Sequence, residues 1–136
     1  DGHTDFYARF ARPGVVVAAF DPDPESFDNE VTKLHLDILK NATDADGRSL
    51  EVHVLQAPSS VRPRFKNNDF AAGYINFYVC NGAVIAAEFG DKETDAMAVA
   101  ALKRHYPGRE VVTLNVDALG EVGGGIHCAT HEVPSP

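Results

Sequence analysis

The chain has 136 residues, enough for one compact domain or part of one, and 44% of them are apolar, an ordinary share for a protein that buries a core. Its net charge is −8; an acidic surface repels phosphate backbones and anionic lipid, which argues against nucleic acid or a membrane as partner and suits a small cationic ligand. Cys80 and Cys128 are the only cysteines, too few for a disulfide scaffold, the first residues lack the charged and apolar regions of a signal peptide, and no apolar run approaches the roughly 20 residues a membrane span needs, so a reducing, cytoplasmic setting is expected.

The opening stretch, DGHTDFYARF, is patterned from its first residues and has no initiator Met, as a stretch preceded by further chain would be. Asp5-Phe6-Tyr7 returns 71 residues later as Asn76-Phe77-Tyr78. In each copy a glycine turn follows, Arg12-Pro13-Gly14 and then Asn81-Gly82, and leads into a second apolar run (15–20, then 83–89). Both read as β-hairpins. A helix is predicted over 24–41, with Phe27, Val31, Leu34 and Ile38 on one face. A second, alanine-rich helix is predicted over 92–105, with Asp91 as its N-cap and Pro107-Gly108 as its stop. Strands follow at 50–56 and 110–116. The chain thus reads as two strand-strand-helix-strand units, 3–57 and 74–118, and 1–136 is expected to be the C-terminal part of a single catalytic domain. The connection 57–73 carries Pro58, Arg62, Pro63, Arg64 and Lys66 and is expected to be a lid, a binding loop or disordered. A last strand, 126–133, is expected to open another unit. Repeats of this size leave an apolar face for a neighbour to cover, so an arc of a ring or array is expected.

Side chains two apart share a strand face. Read so, His3 and Asp5 point the same way, while Cys128 faces with Ile126 and Thr130 and His127 points to the opposite side. If the units surround an axis, Asp5, Asn76 and Cys128 stand at the openings of three successive units and converge at the centre. A thiol, an imidazole and a carboxylate supply a nucleophile, an acid/base and an anchor for a cation. A planar guanidinium suits such a carboxylate, because its N–H fork can make a two-point contact. Cys80, mid-strand among apolar residues, is expected in the core. Metal ligation by His127, Cys128 and His131 is disfavoured, since neighbours on a strand face opposite ways. The run Gly123 to Gly125 lacks the Lys-Ser/Thr that a phosphate loop needs.

GGGIHCAT resembles the nucleophile motif of the agmatine deiminase and bacterial-type peptidylarginine deiminase family. DGHTDFYARF resembles that family's histidine motif, and GYINFYVCNGAVIAAEFGD its asparagine-phenylalanine segment. The three occur in the family's order across nearly the whole chain. The resemblance implies an α/β fold, the pentein, in which strand-strand-helix-strand units circle a pseudo-fivefold axis; this chain would be its C-terminal part. It implies hydrolysis of a guanidinium to a ureido group and ammonia, with agmatine converted to N-carbamoylputrescine as the leading case. Peptidylarginine or arginine deimination, amidino transfer, and an inactive fragment that binds cationic ligands are the alternatives. On that pattern Cys128 attacks the guanidinium carbon. His3 protonates the departing ammonia and then activates water against a covalent thiouronium. Asp5 holds guanidinium nitrogens, Asn76 supports the site, and Gly124 and Gly125 let backbone approach the substrate. No metal or organic cofactor is implied. The family carries another guanidinium-binding Asp, and a carboxylate partner for the histidine, upstream of these motifs. The implied partners are therefore a small guanidine and the N-terminal part of the same enzyme, with a homodimer left open. The chain departs from the family in reading THEVP where glutamines follow the cysteine motif, and in Gly73 where a serine is usual.

Overall fold

In the computed structural model, residues 3–67 and 69–134 are described. The first unit comprises β1 (Ala8–Arg12), β2 (Val15–Phe20), α1 (Phe27–Lys40) and β3 (Glu51–Gln56). The second comprises β4 (Tyr78–Cys80), β5 (Ala83–Glu88), α2 (Lys92–His105) and β6 (Glu110–Asn115); a short helix, α3 (Asp117–Gly120), follows. Each unit builds its own three-stranded sheet, in the orders β1-β2-β3 and β4-β5-β6. The hairpin pair is antiparallel in both, Ala8 opposite Ala18 and Tyr78 opposite Ile85. The third strand runs parallel to the second, Ala19 opposite Leu55 and Ala87 opposite Leu114. Parallel neighbours need a crossover, and the helices supply it. Both hairpins turn on a left-handed glycine, Gly14 (φ 77°) and Gly82 (φ 80°), a conformation that side chains resist.

The helix starts carry the expected chemistry. Ser26 caps α1 by accepting from the Asp28 amide, and Asp91 caps α2 by accepting from Glu93 and Thr94. The predicted span 24–41 is trimmed at its start to Phe27, because Asp23 and Ser26 hold the preceding residues in side-chain-to-backbone turns. The face of α1 is a larger correction. Its buried side is Asn29, Thr32 and Leu36, while Phe27 is 84% exposed and Leu34 and Ile38 are also exposed. Hydrogen bonds decide this. Asn29 Nδ2 donates to the Asp21 carbonyl (2.7 Å), and Thr32 Oγ1 accepts from the Asp21 amide (3.1 Å). These satisfy the backbone where β2 ends, and a buried unpaired amide would cost more than an exposed apolar side chain.

The core lies where the two units meet. Val17 and Leu55 of the first unit pack with Ile75, Ala87, Phe89 and Ala98 of the second, and Ile126 joins them from the C-terminal segment. A second cluster, Phe77, Val84, Leu102 and Tyr106, fills the space under α2. Burying a side chain of this size contributes about 1.5–3 kcal/mol. Leu55 and Leu114 hold equivalent places in the two parallel ladders, yet Leu55 is 4% exposed and Leu114 46%. The second unit covers β3, and among the described residues nothing comparable covers β6. Within the connection 57–73, Arg62 is tied down. Arg62 reaches both carboxylate oxygens of buried Asp117 (3.0 Å each) and Oε1 of Glu88 (2.6 Å). Among the described residues no helix is long and apolar enough to cross a membrane.

His105 sits at the contact between units, its ring 4.5 Å edge-on from that of His53. Burial, and then the neighbouring His53, Arg12 and Arg104, hold its pKa below the ordinary 6.5. The unfolded chain therefore takes up a proton that the fold resists, and stability falls as pH drops through about 6.5 toward the lowered value. Melting curves at pH 7.5 and 5.5 should show a loss on acidification that His105→Gln reduces. An unchanged pH dependence in that variant would refute the assignment.

Candidate active site

Asp5 lies in a 3-10 turn, Thr4–Phe6, rather than in a strand, and β1 begins only at Ala8. The turn closes through the Phe6 amide on His3 O (3.2 Å) and the Tyr7 amide on Thr4 O (2.9 Å). Asp5 is thereby placed on the approach to the hairpin, and Asn76 holds the matching place two residues before β4. Asn76 is 2% exposed and flanked by buried Ile75 and Phe77, so its carboxamide has a fixed position. The strand expected over 126–133 does not form. Residues 126–129 make a helical turn, with the Ala129 amide on Gly125 O (3.2 Å) and the Thr130 amide on His127 O (3.1 Å). Buried Ile126 anchors the turn in the core, and Thr130 Oγ1 donates to its carbonyl (2.9 Å).

That change of conformation overturns the expected facing of His127. Adjacent residues point opposite ways on a strand but only about 100° apart on a helical turn. His127 and Cys128 consequently both lean toward Asp5. His127 Nδ1 is 2.8 Å from Asp5 Oδ2, and Cys128 Sγ is 3.5 Å from the same oxygen. Asn76 ties the group together. Its Nδ2 donates to Asp5 Oδ2 (3.0 Å) and lies 3.3 Å from Cys128 Sγ, while its Oδ1 accepts from the His127 amide (2.9 Å) and the Cys128 amide (3.4 Å). His3 Nδ1 stands 4.0 Å from the other oxygen, Asp5 Oδ1, with its side chain 71% exposed. The expected convergence of Asp5, Asn76 and Cys128 is thus present.

Gly125 makes it possible. A Cβ there would lie 2.3 Å from Asn76 Oδ1, so a side chain would expel the carboxamide. What its missing side chain admits in this structure is Asn76. At Gly124 a Cβ would meet only Cys128 Cβ and Leu119 O, both at an ordinary 3.8 Å. Burial works against ionisation of Asp5. Hydrogen bonds from His127, Cys128 and Asn76, aided by the His127 charge, outweigh it and hold the carboxyl below its usual 3.8. Asp5 is therefore a carboxylate at neutral pH, fit to hold a cation beside an exposed thiol. Cys80 is partly buried, its Sγ 3.6 Å from Ala83 O, away from this cluster. Among the described residues no group of three or more His, Cys, Asp or Glu side chains is spaced to hold a metal ion.

Two hairpin-helix-strand units, each a mixed three-stranded sheet with its crossover helix, make this an α/β protein, and the solved structures it resembles are deiminases of the pentein fold. The agmatine deiminase of Enterococcus faecalis superposes with a TM-score of 0.83 at 31% identity, over 93% of this chain and 38% of that one. A Streptomyces avermitilis protein provisionally named an agmatine deiminase is 43% identical over 98% of this chain and 38% of its own length. An agmatine deiminase of Medicago truncatula is 33% identical over 99% of this chain and 41% of its own. The profile of the Porphyromonas-type peptidyl-arginine deiminases matches residues 1–134, and the chain belongs to that family. It spans about two fifths of the length of the curated relatives it matches.

Proposed function

We infer that this chain carries the nucleophile half of a guanidine hydrolase, with agmatine as the leading substrate and N-carbamoylputrescine and ammonia as products. The observation that carries the reading is the meeting of Asp5, Asn76 and Cys128, from three separate parts of the chain, around one carboxylate oxygen. The Cys128 thiolate attacks the guanidinium carbon, and the tetrahedral adduct expels one nitrogen as ammonia, protonated by His3. The remaining thiouronium, S–C(=NH2+)–NHR, takes up water deprotonated by His3. Collapse releases R–NH–CO–NH2 and regenerates the thiol. Asp5 Oδ1 holds a guanidinium N–H, and Asn76 Nδ2 steadies the sulfur. Colorimetric detection of ureido product tests the reading on the intact protein with agmatine, arginine and a peptidyl-arginine. Ureido product from agmatine supports it; no ureido product from any of the three, with Cys128 reduced, refutes it.

The exposed faces at the two ends of the arc support a ring completed by further units. β3 is covered by the second unit, whereas Leu114 on β6 is open, and so are Phe27, Leu34 and Ile38 on α1. Further chain of the same family would cover both ends and bring the additional carboxylates. In a family-length protein Leu34→Asp should then destabilise as a core substitution does, by about 2–5 kcal/mol in denaturant unfolding. A cost within about 0.5 kcal/mol, as for an open surface position, would contradict the ring.

A further inference from the structure

Asp5 has two oxygens in unequal surroundings. Oδ2 faces His127 Nδ1, Asn76 Nδ2 and Cys128 Sγ, at 2.8, 3.0 and 3.5 Å. Oδ1 has His3 Nδ1 at 4.0 Å, beyond hydrogen-bond distance. A carboxylate turns readily about its last bond, whose torsion is broad and two-fold. Something must therefore decide which oxygen faces the protein and which faces a ligand. Asn76 alone does not, because its Nδ2 is shared with the sulfur and with the Asp5 carbonyl. His127 makes the shortest contact to the carboxylate, and its own main chain is pinned by Asn76 at both Oδ1 (2.9 Å) and the carbonyl (3.2 Å). An ionised Asp5 only accepts, so Nδ1 must carry the proton.

We propose that His127 is a positioning residue: by donating Nδ1–H to Asp5 Oδ2, it fixes the carboxylate so that Oδ1 is presented to the guanidinium or amidinium of a ligand at Cys128. This rests on the guanidine reading above and assigns the carboxylate's orientation to a residue outside the catalytic set. The groups facing Asp5 are His127, Cys128, Asn76 and His3, and Arg9 adds a positive charge nearby. Each either binds the protein side of the carboxylate or stands at the ligand side. An asparagine at 127 can set its amide N–H near the position of Nδ1. A glutamine reaches nearer the position of Nε2, and leucine offers no donor.

The test compares the rates at which 2-chloroacetamidine and iodoacetamide alkylate Cys128 in the intact protein. The first reagent is a cation that needs Asp5 and the second is neutral, so their ratio reads carboxylate orientation without turnover. Wild type should favour the amidine. His127→Leu and His127→Gln should each lose that preference by at least about tenfold, with the iodoacetamide rate within about twofold of wild type, and His127→Asn should keep most of it. On agmatine, the same variants should raise KM more than they lower kcat. Losing a donor to the charged form also raises the Asp5 pKa, so the acidic limb of kcat/KM should move to higher pH in the leucine and glutamine variants. Equal slowing of both reagents, a preference retained in both, or failure of asparagine to rescue would overturn the proposal. If His127→Leu does not fold, His127→Gln against His127→Asn decides it. Absence of turnover in wild type would count against the guanidine hydrolase alone, since the alkylation ratio is read independently.

Discussion

Cys128→Ser will abolish ureido formation, lowering kcat by about 10⁴-fold or more, while leaving the melting temperature within a few degrees of wild type. The loss follows from removal of the nucleophile, which defeats every later step together. Serine keeps a hydrogen-bonding atom near Asn76 Nδ2 and Asp5 Oδ2, but its hydroxyl is far less acidic than a thiol and supplies far less of the anionic nucleophile. Stability is spared because Cys128 is exposed, and what anchors its turn is Ile126 in the core. Steady-state kinetics with thermal melting checks both parts. A serine variant retaining more than about 1% of wild-type kcat would remove Cys128 from the chemistry.

Gly125→Ala should produce the second large loss, through a methyl group that touches no substrate. Its Cβ would come 2.3 Å from Asn76 Oδ1 and 2.7 Å from Cγ, distances at which one of the two must move. Asn76 is buried and joins Asp5 to the His127–Cys128 backbone, so its displacement breaks both connections. The expected cost is about 1–3 kcal/mol in unfolding, as for other overpacked sites, with kcat/KM falling about 100-fold or more. Gly124→Ala provides the contrast. Its methyl meets nothing closer than 3.8 Å, so the melting temperature should hold, and any rise in KM there reports on substrate approach. Equal destabilisation by the two alanines would show that Asn76 is not what Gly125 accommodates.

Much of the architecture was legible because both copies of the unit share strong local signals. Glycine turns between apolar runs marked the hairpins, and Asp91 with Pro107-Gly108 bounded α2 at the residues observed. The repeat then predicted that Asp5 and Asn76 would be equivalent, and with Cys128 they do converge. What could not be read was conformation set by tertiary contacts. Residues 126–133 have the β-branched and apolar content of a strand, yet a helical turn wins there because Ile126 enters the inter-unit core and Gly125 lies against Asn76. The facing of His127 was lost with it. The stripe Phe27-Val31-Leu34-Ile38 has helical spacing, but the polar Asn29 and Thr32 take the inner face by satisfying the Asp21 backbone. Periodicity shows that a helix has an apolar face; it does not show which neighbour covers it.

Every later step of the proposed reaction depends on a covalent bond between Cys128 and the guanidinium carbon. Acid quenching of the intact protein during turnover of agmatine, followed by mass spectrometry of the Cys128 peptide, tests it most directly. An adduct on Cys128 whose mass is that of agmatine less one ammonia is expected, formed in the first turnover and lost as ureido product accumulates. Ureido product released at a steady rate while Cys128 stays unmodified at every quench time would contradict it.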